Sequence, residues 1–252
     1  MIHISKKLLL FSFSILLSCY VFPQKKDKKE IEMFLPVYNS YSPRKLSVVI
    51  LNDGTRIEGY KKDVDRKKGQ IYYIKIKDSV SGKKLKFEAD QISEMYLYPG
   101  GLEKLSKTFE YTFDARQWEN RNLENDILNR GYIYFKKHNV KLKNKKKPKD
   151  YLMQLVNPTF CKYIEVYGDP FAGETMGFGI GGINLAGGLD KSYYIKKGDD
   201  IFWLHKRDFK DWYDKLFGDS EEFKNTYTLK DFRWRDLGTY IQEYTKIMIA
   251  KE

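Results

Sequence analysis

The sequence predicts an α+β protein, rich in β structure: a small N-terminal β-barrel module, then a second, mostly antiparallel β module carrying C-terminal helices. Three observations predict it. Between Lys45 and Tyr98, short runs of alternating apolar residues follow one another with turn residues between them, the pattern of a small, strongly bent barrel. Aromatic residues make up 16% of the chain, with twenty Tyr and sixteen Phe, and such side chains favour half-buried sheet. At the far end, Leu237, Tyr240, Ile241, Tyr244 and Met248 recur at helical spacing, which predicts an amphipathic helix laid on a sheet.

The chain opens on an export signal. Lys6 and Lys7 form a short positive head, and Leu8 to Phe22 carry no charge. That apolar run is shorter than the roughly 20 residues a membrane-spanning helix needs, so residues 1–23 read as a signal peptide rather than an anchor. Leu16-Leu17-Ser18-Cys19 resembles the lipobox of bacterial lipoproteins, with Leu17 where a smaller residue is usual. Cys19 is therefore a candidate lipidation site, the alternative being a cysteine discarded with the peptide. Acylation would attach the chain to a membrane without spanning it. Either fate leaves Cys161 without an intrachain disulfide partner, and its apolar, strand-like surroundings predict a buried small hydrophobe.

Residues 24–44 read as a lysine-rich spacer and irregular lead-in. In the barrel module, residues 45–98, Asp53-Gly54 separates two strand-like runs and suits the positive φ angles of a type I′ hairpin. A third run, QIYYIKIKD, precedes a turn at SVSGKK, and KLKFEADQISEMYLY supplies two more short strands around a bend. Residues 99–130 form a connector in which Leu102, Leu105 and Phe109 have helical spacing. Residues 131–252 form the second module, with strands from Gly131 to His205 and a turn at Gly198-Asp199-Asp200. Asp208 and Gly218 bracket a helix through Phe209, Trp212, Tyr213 and Leu216, and Ser220-Glu221-Glu222 can start another.

The run from Val48 to Tyr60, with Gly59 in its second strand, and the later Asp90-Gln91-Ile92 together resemble the strand–turn–strand core of Sm-like small β-barrels. The resemblance spans residues 45–98 and implies a bent barrel, with Gly59 permitting the bend; the RNA-binding signatures of that family are absent. Residues 131–245, with the segment VYGDPFAGETMGFGIGGINLAGGLDKSYYIKKGD, resemble a family of exported proteins of Bacteroidota-type bacteria. That resemblance implies location and architecture, and brings no mechanism.

The net charge is +12, or about +10 once Lys6 and Lys7 are set aside. The basic residues are mostly Lys, with nine Arg, and Arg is the better fork for phosphate and base edges. Nucleic acid is not the expected partner. The candidate anion-binding residues are Lys141, Lys143, Lys145, Lys146, Lys147 and Lys149, in the run KLKNKKKPK, which lacks the interleaved aromatics of a nucleic-acid platform. Gly177-Phe178-Gly179-Ile180-Gly181-Gly182 matches G-x-G-x-x-G, but the glycine-rich INLAGGLDK behind it is not the helix a dinucleotide site requires. His138 and His205 have no metal-ligand spacing, and Ser192 and Ser220 have no nucleophile elbow around them. Asp169-Pro170 reads as a turn.

These readings predict no catalytic residue, metal or cofactor. The expected function is that of a non-enzymatic exported envelope or interaction protein, in the periplasm or at the outer membrane of a bacterium. Its expected partner is another envelope protein or an anionic envelope component, with membrane contact through the Cys19 lipid alone. Two alternatives stay open: an anion- or polysaccharide-binding module using the lysine hairpin, and an enzyme of unrecognised type.

Overall fold

The computed structural model describes residues 33–101, 123–173 and 190–252, together with the backbone of 178–180 and 183–186. The export signal expected over residues 1–23, with Cys19, and the connector helix expected through Leu102, Leu105 and Phe109 lie outside the described residues.

Five strands come from the first β region: β1 (Leu46–Leu51), β2 (Arg56–Lys67), β3 (Gln70–Asp78), β4 (Lys84–Glu88) and β5 (Ile92–Leu97), with a 3-10 turn at Ala89–Gln91 before β5. Two more, β6 (Ile133–Val140) and β7 (Lys149–Gln154), follow a short helix α1 (Asn125–Asn129). The order β2-β1-β5-β6-β7-β3 closes on itself through the β2–β3 pairing, giving a six-stranded antiparallel barrel with β4 as a flap beside β3. The barrel thus draws β6 and β7 from beyond residue 98, and residues 32–252 form one compact unit.

Period-two alternation sorts the side chains. Val49, Ile71, Ile74, Ile92, Met95 and Leu152 point into the barrel and are fully buried there. Val48, Tyr96, Tyr134, Tyr151 and Met153 leave by the opposite face and join Tyr167 and Tyr194 in a second core. Those two tyrosines belong to a three-stranded antiparallel sheet of order β12-β11-β8, from β8 (Ile164–Gly168), β11 (Ser192–Lys197) and β12 (Asp200–His205). The far face of that sheet carries Val166, Tyr193, Ile195 and Leu204 into a third core beneath the helices. Each fully buried aliphatic side chain of this kind contributes about 1.5–3 kcal/mol.

The helices are α2 (Tyr213–Phe217), α3 (Glu221–Thr226) and α4 (Leu237–Ile249). Ser220 caps α3, its Oγ accepting from Phe223 N at 3.3 Å. Leu237, Tyr240, Ile241 and Tyr244 of α4 are buried at helical spacing, as the sequence predicts.

One local expectation changes. The Asp53-Gly54 turn is not type I′: Gly54 alone has positive φ (85°), and Asp53 Oδ1 accepts from Thr55 N at 2.9 Å. The carboxylate supplies a local bond that fixes the loop without a left-handed Asp53. The two consecutive positive φ angles of a primed hairpin occur instead at Lys68 (49°) and Gly69 (78°), between β2 and β3.

The irregular lead-in is packed against the body. Residues 33–44 lie along the body, with Phe34 and Leu35 in the helix-side core and Tyr38 and Tyr41 in the barrel core. Leu35 N donates to Val156 O at 2.7 Å, and Arg66 reaches the Tyr41 hydroxyl at 2.6 Å. The sheet and the barrel are joined directly as well, because buried Gln70 donates through Nε2 to Gly168 O at 2.7 Å.

Candidate functional site

The lysine run forms the connection between β6 and β7. The two strands pair down to Val140 and Lys149, and Asn139 Nδ2 donates to Asp150 Oδ1 at 2.6 Å across the neck. Val140 and Leu142 are buried and root the loop, while Asn144, at a φ of 62°, turns the chain. Asn tolerates this left-handed conformation better than most side chains. Lys141, Lys143, Lys145, Lys146, Lys147 and Lys149 are all exposed. None of the six forms an ion pair among the described residues, in contrast to Lys75, Lys86, Lys136, Lys197 and Lys215, which do. Six ammonium groups within nine residues, none neutralised by a paired carboxylate among the described residues, repel one another. An anion relieves that repulsion.

At the foot of the hairpin lies a recess of about 200 Å³, lined by Lys68, Leu142, Lys143, Asn144, Asp169, Phe171 and Tyr194. Asp169 is 8% exposed. Its Oδ1 accepts from Phe171 N at 3.1 Å; its Oδ2 accepts from Ser192 Oγ at 2.8 Å and Trp203 Nε1 at 2.9 Å. Asp169-Pro170 is the turn the sequence predicts, with Ala172 N donating to Asp169 O at 2.9 Å. The role of its carboxylate was not legible, because the donors come from β11 and β12, 23 and 34 residues away. The available signal was an apolar residue, Phe171, in a Gly/Pro turn.

A larger cleft, about 530 Å³, opens between the Gly198 turn and the helices. Each of its three lysines is paired with a carboxylate. Lys197 Nζ lies 2.8 Å from both Asp219 Oδ1 and Leu216 O, and the Tyr244 hydroxyl lies 2.9 Å from both Asp219 oxygens. Lys215 pairs with Asp200 at 2.8 Å, and Lys162 with Glu252. Burial pushes the Asp219 carboxyl upward, but the bonds from Lys197 and Tyr244 outweigh it and hold the group below its ordinary range.

The remaining sequence candidates are dispersed. His138 is buried edge-on against Tyr167, with ring centroids 4.3 Å apart, and its Nε2 has no hydrogen-bond partner among the described residues. Burial, with Lys136 and Lys196 nearby, lowers its pKa to about 3, so the ring is neutral. His205 Nδ1 accepts from Arg207 N at 3.2 Å, a turn-stabilising bond. Ser192 serves Asp169, and Ser220 caps a helix. Cys161 is buried, and burial pushes its thiol up to about 12. Within the glycine run, β9 (Phe178–Ile180) pairs antiparallel with β10 (Ile183–Ala186) behind it, so a strand stands where a dinucleotide site needs a helix. Among the described residues no group of three or more His, Cys, Asp or Glu side chains can hold a metal ion, and no helix is long and apolar enough to cross a membrane.

Comparison with known proteins returned no match to any family model, curated protein or solved structure.

Proposed function

We propose that this chain is an exported, non-enzymatic protein of the bacterial cell envelope that works by binding, with the Lys141–Lys149 hairpin as its contact to an anionic envelope polysaccharide. The observation that carries the reading is the set of six exposed hairpin lysines, none of them ion-paired among the described residues, held out from the barrel on a rooted loop. Charge displayed this way attracts a polyanion and speeds its encounter. The basic head and apolar run of residues 1–23 support export, and Leu16-Leu17-Ser18-Cys19 supports a lipid on Cys19 as the means of attachment.

The test is binding to immobilised polygalacturonate at increasing salt, for the native chain and for Lys145→Glu/Lys146→Glu/Lys147→Glu. Binding by the native chain should weaken steeply as salt rises, and the charge-reversed chain should bind at least about tenfold more weakly at low salt. Equal binding by the two chains, or binding indifferent to salt, would overturn the reading.

A further inference from the structure

Phe171 is one of a handful of large apolar side chains left exposed among the described residues, at 61%, and it sits on the rim of the recess beneath the lysine hairpin. Solvent exposure of a rigid ring at the mouth of a concave, polar-lined site is the arrangement of a binding platform. The ring is held in place from below. Gly69 has a φ of 78° and no Cβ, which lets Pro170 pack against the β2–β3 turn with the Phe171 ring beside it.

Asp169 supplies the second half. No cation pairs with it among the described residues, and the three bonds it accepts come from neutral donors. An ionised carboxylate offers about four lone-pair positions, so one acceptor position remains on a group that lines the recess. Burying a carboxylate is costly unless it is well hydrogen-bonded, and a hydroxyl donor would complete its shell. Asn144 adds an amide at the same wall, and Lys68 and Lys143 stand at the opening without carboxylate partners among the described residues. The cleft at Asp219 differs in this respect, because each of its lysines is paired with a carboxylate.

We infer that the recess binds one acidic sugar unit, a uronic acid or a sugar phosphate. Its C–H face lies on Phe171, its ring hydroxyls donate to Asp169 and bond Asn144, and its acidic group meets Lys68 and Lys143. A ring of this size suits a recess of about 200 Å³. This rests on the polysaccharide reading of the hairpin and sharpens it: the hairpin lysines supply salt-sensitive attraction along the polymer, and the recess reads one unit.

The two readings fail separately. Calorimetric titration of the purified protein with galacturonic acid, glucuronic acid, glucose 6-phosphate and galactose 6-phosphate tests the recess alone. At least one of the four should bind saturably and perturb Trp fluorescence, since Trp203 donates to Asp169. Phe171→Ala should weaken that binding about tenfold or more, and Lys68→Ala/Lys143→Ala should do the same; all three residues are exposed or at the rim, so the fold is preserved. Lys145→Glu/Lys146→Glu/Lys147→Glu should leave monomer binding within about twofold while weakening polymer binding at least about tenfold. The inference is overturned if none of the four sugars saturates, or if Phe171→Ala binds as the native chain does. It is equally overturned if inorganic phosphate or choline competes as well as the sugar, which would make the recess a plain anion or cation site. Polymer binding lost in the hairpin variant with monomer binding absent would retain the hairpin and remove the recess.

Discussion

The side-chain amide of Gln154 clasps the backbone of Tyr38, 116 residues earlier in the chain: Gln154 Oε1 accepts from Tyr38 N at 2.9 Å. The same amide donates from Nε2 to Pro36 O at 2.8 Å, so one buried side chain holds two points of the lead-in segment. Gln154 ends β7, a barrel strand, and Leu155 beyond it bridges to Tyr167 of the second sheet. The clasp therefore fixes the lead-in where the barrel and sheet meet.

Gln154→Ala should cost about 2–3 kcal/mol, since both bonds are lost from a buried site. The loss should appear first as loosening of residues 33–44, read as faster tryptic cleavage after Arg44 and Lys45, ahead of any fall in the global urea midpoint. Unchanged cleavage with unchanged stability would show that the apolar anchors Phe34 and Tyr38 hold the segment unaided.

Gly59 sits where β2 pairs on both sides, with Ser47 of β1 and Asp78 of β3. A Cβ at this position would stand 2.5 Å from Lys77 O, a backbone atom that cannot rotate away. Gly59→Ala should thus destabilise the barrel by about 1–3 kcal/mol, the range for overpacking. Gly54→Ala is the informative comparison: its φ of 85° imposes strain, but nothing lies within 4 Å. Its cost should stay near 1–2 kcal/mol. Thermal melts of the two variants decide whether close approach or backbone strain is the larger constraint, and a neutral Gly59→Ala would refute the close-approach account.

The strands were legible because apolar residues recur in short runs between turn residues, and in the barrel those runs divide between its interior and its outer face. Leu237, Tyr240, Ile241 and Tyr244 were legible for the matching helical reason. Barrel closure was not, because it depends on pairings such as Ile71 with Leu152 that no local period encodes. Pro36, Asn39, Ser40 and Pro43 made the irregular backbone of the lead-in legible, but not its burial, because irregular backbone is buried only when tertiary partners such as Gln154 take its bonds. The hairpin lysines could be named from composition. The recess could not: Lys68, Lys143, Asp169, Phe171 and Tyr194 come from four separate segments, and their convergence is a product of the β2–β3 turn, the hairpin and the sheet meeting in space.

His138 should make the protein acid-sensitive. Its ordinary value of 6.5 falls to about 3 in the folded chain through burial, with Lys136 and Lys196 adding repulsion and Tyr167 packed on the ring. Above pH 6.5 neither the folded nor the unfolded chain carries the proton, and the group exerts no pH effect. As pH falls below 6.5, the unfolded chain takes up a proton that the folded chain refuses until about pH 3, so stability declines by up to about 1.4 kcal/mol per pH unit. His138→Phe should remove this slope. Urea midpoints of both chains at pH 7 and pH 4 check it: the gap between them should shift by about 3 kcal/mol in favour of the variant at pH 4. Parallel losses in the two chains would mean that carboxylates alone set the acid response.

Cys161 should behave as a core atom rather than a reagent. It is 5% exposed, its Sγ donates to Pro158 O at 3.5 Å, and burial pushes the thiol up to about 12, so the thiolate that reacts is scarce at pH 8. In a chain carrying Cys19→Ser, an aromatic disulfide reagent at pH 8 should label Cys161 at least about a hundredfold more slowly in the native state than in denaturing urea, and the native rate should track opening of the fold. The urea dependence of that rate separates two routes. A linear fall in log protection with urea, ending at the global unfolding transition, places Cys161 in the last part of the structure to open. A rate independent of urea would indicate a local opening of the segment between β7 and β8. Stoichiometric labelling of the native chain within seconds would contradict the buried assignment altogether and would return Cys161 to consideration as a nucleophile.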